Sequence, residues 1–279
     1  MKIILSRKGF DSSYGGYPSL IYENGMLQPL PIPNSYDITR YSDIRNIYDG
    51  LTLYDTMQSI KPQIKNKTWT KLTKDSTCHL DPDIEFSSLT TRDKEWVGCF
   101  GQGSAAQTVL RKHHVGPDDV FLFFGWFNNC YYKDESLYFR KGNGKHVIFG
   151  YLQVGKVIYT AQDDIPEWLK YHPHSQERHI NKKNNCIYVA RKHCSWDKTL
   201  KGYGLFNYSA ELCLTKEGCS RSKWNLPDIF RNVNIAYHNA DSWKDGYFQS
   251  AHRGQEFVIE ENEAVEKWTI ELIEKNVRR

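Results

Sequence analysis

The chain has 279 residues, with 37 Lys plus Arg against 33 Asp plus Glu; a net charge of +4 is compatible with a nucleic-acid partner without demanding one. No stretch approaches the ~20 apolar residues of a membrane span, and the opening apolar run is too short for a signal peptide, so a cytoplasmic protein with no membrane partner is expected. Seven cysteines, an odd number with no C-x-x-C pair, read as reduced thiols and argue against a disulfide framework or a structural zinc site.

Aromatic residues make up 14% of the chain, which favours β-rich structure. They also suit stacking on bases, although core packing accounts for most of them. The chain opens on a short apolar run, Ile3-Ile4-Leu5, that stops in Ser6-Arg7-Lys8-Gly9-Phe10-Asp11-Ser12-Ser13-Tyr14-Gly15-Gly16. A buried strand ending in a loop of cations, a carboxylate and glycines is a common way to build a site. Residues 17–41, with Pro18, Pro29, Pro31 and Pro33, read as an ordered excursion rather than a helix. Within it, Asn24-Gly25 between apolar flanks predicts a hairpin over Ile21 to Leu27.

A helix is expected over Ile44 to Ile60, weakened by Gly50, and residues 61–77, rich in Lys and Thr, are expected to be exposed. Gly101-Gln102-Gly103-Ser104-Ala105-Ala106-Gln107 reads as a helix start, with Ser104 and Gln107 forming a capping box and the helix running to about His113. Val120 to Phe127 is a continuous apolar run and predicts a strand buried on both faces, with Gly125 marking a bulge or a close backbone approach. Lys141 to Lys145 predicts a turn, and His146 to Ile158 one or two further strands. Ile187 to Ala190 and Phe257 to Ile259 predict short strands. The final segment predicts a helix capped by Asn262, with Glu263 and Glu266 at its positive end and Val265, Trp268, Thr269 and Leu272 on one face. The expected fold class is therefore α+β: one mixed unit over 1–279 with a β-rich centre and flanking helices.

Several groups could carry chemistry. Arg7 and Lys8 could clamp a phosphate, with Asp11 acting as a base or holding a ribose hydroxyl; a solvated turn explains them as well. His79, Asp81 and Asp83 share one face of an extended segment and could supply an acid–base pair or metal ligands; a polar loop is the favoured reading, and no metal is assigned. The glycine-led helix tip, Gly103 with Ser104, offers an anion site, while the amides of Gln102 and Gln107 could read a base edge. Before the late strand, Arg253, Gln255 and Glu256 could form a salt-bridged strand entrance or a catalytic pocket. His172, His174 and His179 are expected in a surface loop, since Pro173 restricts convergence of the rings. No G-x-S-x-G elbow supports serine catalysis. Pro82-Asp83 and Pro117-Asp118 lack the Glu-x-Lys partner of a nuclease.

Taken together, the opening Ser6–Gly16 segment, Leu30-Pro31-Ile32-Pro33, His79-Leu80-Asp81-Pro82-Asp83, Phe100 to Gln107, Phe121 to Phe127 and Arg253 to Phe257 resemble the nucleotide modification associated domain 3 family, in order and over nearly the full chain. The resemblance implies a component of a DNA base hypermodification system of phages or bacteria, acting on a modified base or nucleotide. Its partners would be a nucleotide or modified DNA and other proteins of a modification or defence system. The alternative it leaves is a non-catalytic reader of modified bases in phage defence. It supplies no catalytic residue list and no cofactor. A second resemblance covers the centre: Gly116 to Phe123 followed by Ile148 to Val157, within 116–160, is similar to the strand pair of PUA-like barrels and would make Trp126 and Phe127 base-stacking residues, worth ~1–3 kcal/mol per base.

Overall fold

A computed structural model describes residues 1–60 and 72–278. The N-terminal half contains β1 (Ile3–Arg7), β2 (Ser19–Ile21), β3 (Leu27–Gln28), β4 (Ile32–Pro33), α1 (Leu53–Ser59), β5 (Cys78–His79), β6 (Cys99–Gly103), α2 (Ser104–Lys112), β7 (Val120–Lys133) and β8 (Ser136–Phe139). Then follow β9 (Lys145–Tyr159), α3 (Glu177–Ile180), β10 (Asn185–Ala190), β11 (Tyr203–Leu205), β12 (Lys223–Trp224), β13 (Trp243–Lys244), β14 (Tyr247–Gln249), β15 (Glu256–Ile259) and α4 (Glu263–Asn276). The α+β class is as expected.

The main sheet runs β15-β1-β7-β9-β10-β6, mixed in direction. Its middle is the apolar run of β7, which pairs parallel with β1 and antiparallel with β9. Val120 to Phe124 are fully buried, as a strand covered on both faces requires. One interior face carries an aromatic cluster in which Phe100 of β6 meets Phe121 and Phe123 edge-on and Phe121 meets Tyr188. The sheet curls into a half-barrel, so that its two ends approach each other. The helix α2 lies against β6, β10 and β15 and spans that approach.

Local signals read from the chain hold where neighbours in sequence decide them. β2 and β3 form the hairpin around Asn24-Gly25. Asn262 caps α4 by accepting from the Val265 amide, and Val265, Thr269 and Leu272 are buried on its inner face. The close approach at Gly125 is real: a Cβ there would lie 2.6 Å from the Lys8 carbonyl. The register also shifts between Phe123 and Phe124, and the Lys8 amide donates to the Phe124 carbonyl at 2.8 Å. This contact holds Lys8 against the sheet.

Two expectations are corrected, the helix over Ile44 to Ile60 and the capping box at Ser104. The helix over Ile44 to Ile60 is confined to α1, whose N-cap is Thr52 in a capping box with Asp55. The preceding residues turn instead, because the buried Asn46 side chain donates to Tyr22 Oη (2.6 Å) and Thr56 Oγ1 (2.8 Å) while the Gly50 amide returns to the Asn46 carbonyl. Of residues 61–77, 61–71 lie outside the described residues; Thr73, Lys74 and Asp75 are exposed as expected, while Leu72 is buried. The capping box at Ser104 does not form: Gly103 is the N-cap without a side-chain bond, and Gln107 is buried, accepting from Tyr188 Oη at 3.0 Å. The PUA-like pair exists as β7 and β9, but the likeness to PUA-like barrels is not confirmed.

The segment after β5 is pinned by a buried ion pair. Arg92 donates through both terminal nitrogens to Asp83 (2.6 and 2.7 Å), with side chains 2% and 1% exposed, and Tyr171 Oη also bonds that carboxylate. Removing one partner of such a pair strands the other charge away from water, costing about 3–5 kcal/mol. Asp83→Ala is therefore expected to lower the unfolding free energy by about 3 kcal/mol in a urea titration. A loss below about 1 kcal/mol would show that Arg92 finds water in the folded chain.

Candidate functional site

The loop after β1, the end of β6 and the start of β15 meet at one buried polar centre. Glu256, the first residue of β15, is fully buried. Its Oε1 accepts from Lys8 Nζ at 2.9 Å and from Gln102 Nε2 at 2.6 Å. Lys8, 9% exposed, also lies 4.2 Å from the centre of the Phe100 ring. Gln102 is fixed in turn, since its Oε1 accepts from the Gly103 amide at 2.9 Å. The other carboxylate oxygen, Glu256 Oε2, is buried and has no hydrogen-bond partner. A charged oxygen left in that state costs more than the 1–3 kcal/mol of a neutral group.

A second polar cluster lies on the other face of β6. Successive side chains of a strand alternate in direction. Phe100 and Gln102 face Lys8 and Glu256, whereas Gly101 faces the imidazoles. A Cβ on Gly101 would come within 2.3 Å of the His174 ring and 2.8 Å of His172. The Gly101 amide donates to Asp81 Oδ1 at 2.7 Å. His172 Nε2 lies 3.4 Å from the same oxygen and forms no hydrogen bond by geometry. His79 Nε2 lies 4.0 Å from Asp81 Oδ2. Burial alone would raise the Asp81 pKa, but contact with His172 and the nearby charges of His172, His174 and Lys8 hold it well below the usual carboxylate range.

Both outer rings are oriented from behind. His79 Nδ1 is 2.7 Å from the buried Asp37 Oδ2, and His174 Nδ1 is 2.6 Å from Asn185 Oδ1. Asn185 Nδ2 donates to Thr160 Oγ1 and to the His174 carbonyl, which fixes its Oδ1 as the acceptor. Burial pushes the His174 pKa down to about 3. His79, Asp81 and His174 each place a ligand atom within 4.8 Å of the others.

The surface-loop expectation for His172 and His174 is corrected: they are 0% and 6% exposed, while His179 is partly buried. Pro173 starts a 3-10 turn in which the His174 amide donates to His172 Nδ1, folding both rings under β6 instead of splaying them. The His-Pro-His spacing held this signal. Asp37 and Asn185 had none, because they meet the histidines only through the tertiary fold.

The remaining sequence candidates lie elsewhere. Asp11 closes its own turn, accepting from the Ser13 and Tyr14 amides at 2.7 Å. Arg7 donates to the Ala251 and His252 carbonyls (2.9 and 3.2 Å), with its guanidinium 5.8 and 5.6 Å from the centres of the Phe124 and Phe257 rings. Ser104 is exposed, Gln107 belongs to the interior, and Arg253 and Gln255 are exposed. Trp126 stands on a basic rim: Arg221 lies 3.8 Å above its ring, and its indole N–H donates to the Asn143 carbonyl. Beyond it opens a groove of about 990 Å³ lined in part by Arg140, Lys141, Lys145 and Lys216.

A family model described as nucleotide modification associated domain 3 matches residues 2–260. No curated protein and no solved structure matches the chain. Among the described residues, no helix is long and apolar enough to cross a membrane.

Beneath Arg7, His146 accepts from Trp224 Nε1 at 3.1 Å, and burial, then the charges of Arg7 and Arg221, push its pKa down to about 3. The unfolded chain takes up this proton near 6.5. Between those limits the unfolded state binds more protons, so stability falls as pH drops from about 6.5 towards 3. Thermal unfolding at pH 7 and pH 4.5 is expected to show a loss that His146→Gln reduces by on the order of 2 kcal/mol, the buried His174 still contributing in the same direction. An unchanged pH dependence in that variant would contradict the neutral ring.

Proposed function

The chain belongs to the nucleotide modification associated domain 3 family, and from that premise we propose that it is the component of a nucleotide-modification system that acts chemically on a base, carried in DNA or on a nucleotide. One observation carries this reading: a fully buried carboxylate, Glu256, with two donors on one oxygen and none on the other. The ring N–H or exocyclic amine of a nucleobase is a donor of the kind the bare oxygen lacks. Once desolvated beside a base, the carboxylate is placed for proton transfer, with Lys8 as the adjacent cation.

The rim supports the same substrate class. Arg7, Arg221 and the lysines of the basic groove are suited to phosphate, which sets position and supplies salt-dependent affinity without reading sequence. For a base within a duplex, reaching a buried centre requires extrusion from the stack.

The test is nucleoside mass spectrometry after incubating the protein with modified DNA and with free nucleotides. A new or converted base is expected, with Glu256→Gln lowering its rate by about 10²–10⁴-fold. Binding to modified and unmodified oligonucleotides is measured alongside. Discrimination without any product would turn the reading into that of a non-catalytic reader. Equal, purely salt-dependent binding without product would overturn both.

A further inference from the structure

The cluster behind β6 is unusual for a purely structural network because its acceptors face one another. The Asp37 carboxylate accepts the His79 Nδ1 proton, and the Asn185 carbonyl oxygen accepts that of His174. In both rings this leaves Nε2 as the lone-pair nitrogen. The lone pair of His79 looks towards Asp81 Oδ2, 4.0 Å away. Ligand atoms of His79, Asp81 and His174 lie within 4.8 Å of one another. Acceptors gathered in this way repel one another unless a cation stands between them.

A second observation comes from His172. It is fully buried, accepts the His174 amide on Nδ1, and so carries its proton on Nε2. That nitrogen has no hydrogen-bond partner, and it is aimed at Asp81 Oδ1 from 3.4 Å. Together with the Gly101 amide it orients the carboxylate through one oxygen and leaves the other turned to His79. Ring nitrogens and a carboxylate, each held from behind by a hydrogen bond, form the pattern by which proteins orient metal ligands.

We propose that His79, Asp81 and His174 bind a divalent transition-metal ion. Two imidazoles and one carboxylate suit zinc, iron(II) or cobalt(II) better than calcium or magnesium, which prefer all-oxygen sets. Three protein ligands leave at least one position for water or substrate, as catalytic sites do. Asp37, Asn185 and His172 are positioning residues, acting on the ion through the ligands they hold.

The full-length chain is dialysed against a chelator and titrated with cobalt(II) and zinc(II), without nucleotide. Metal content is read by mass spectrometry and the cobalt site by its d–d absorption. One equivalent of either ion is expected, with cobalt absorption of a low-coordinate nitrogen and oxygen site. His79→Gln and Asp81→Asn are expected to weaken uptake at least a hundredfold, and Asp37→Asn by about 10–100-fold. His114→Gln combined with His193→Gln, both on the surface, is expected to leave it unchanged. His79 is partly exposed and Asp37→Asn is isosteric, so these two variants carry the test if Asp81→Asn does not fold. Absence of stoichiometric uptake overturns the proposal, as does uptake that survives His79→Gln but is lost with the surface histidines. Uptake is read without any base, so its outcome is separate from that of the nucleoside assay.

Discussion

The arrangement depends on one buried carboxylate. Glu256 stands at the start of β15, at one end of the six-strand path, and Gln102 near the end of β6, at the other. A flat sheet would keep these ends far apart. The curl brings them together, and Lys8, carried by the loop after β1, completes the contact. Burying a carboxylate without donors costs several kcal/mol. The half-barrel and the Lys8–Glu256–Gln102 cluster therefore hold each other in place: the curl supplies the donors, and the charge resists uncurling. The aromatic cluster of Phe100, Phe121, Phe123 and Tyr188 fills the interior that the curl encloses.

This division explains what could be read from the chain. Strand β7, the Asn24-Gly25 hairpin and the Asn262 cap are decided by residues a few positions apart, and each forms as the pattern indicates. The Gly125 signal was also legible, because a glycine in a buried strand marks a backbone approach, although its partner, the Lys8 carbonyl, was not. The failures share one cause. Asn46 breaks the expected helix because Tyr22, 24 residues earlier, bonds its side chain. Gln107 leaves the capping box because Tyr188 claims it from the interior.

The site was legible in the same uneven way. The polar loop after β1, the Gly-rich stretch and the late strand entrance were each visible, and Lys8, Gln102 and Glu256 do meet. Within each segment, spacing could not tell the residue that points inward from its neighbours. Arg7 turns to the 251–252 carbonyls while Lys8 turns to Glu256, and Gln255 stays exposed while Glu256 is buried. These choices follow strand alternation, which becomes predictive only once the register is known. The histidines were misplaced because a proline between them looked like a barrier to convergence, whereas in a 3-10 turn it brings them beneath one strand.

The two polar centres share the backbone of β6. Phe100 and Gln102 serve the Glu256 side; Gly101 serves the Asp81 side, by its amide and by the space its missing side chain leaves for two imidazoles. Lys8 acts on both, bonding Glu256 and drawing down the Asp81 pKa from a distance. The carboxylates nonetheless stand in different surroundings. Glu256 holds two donors on one oxygen and keeps the other buried without a partner. Asp81 is surrounded by ring nitrogens and held by a backbone amide, which suits a cation. Because one three-residue stretch of strand contacts both, a displacement of β6 moves the two centres together.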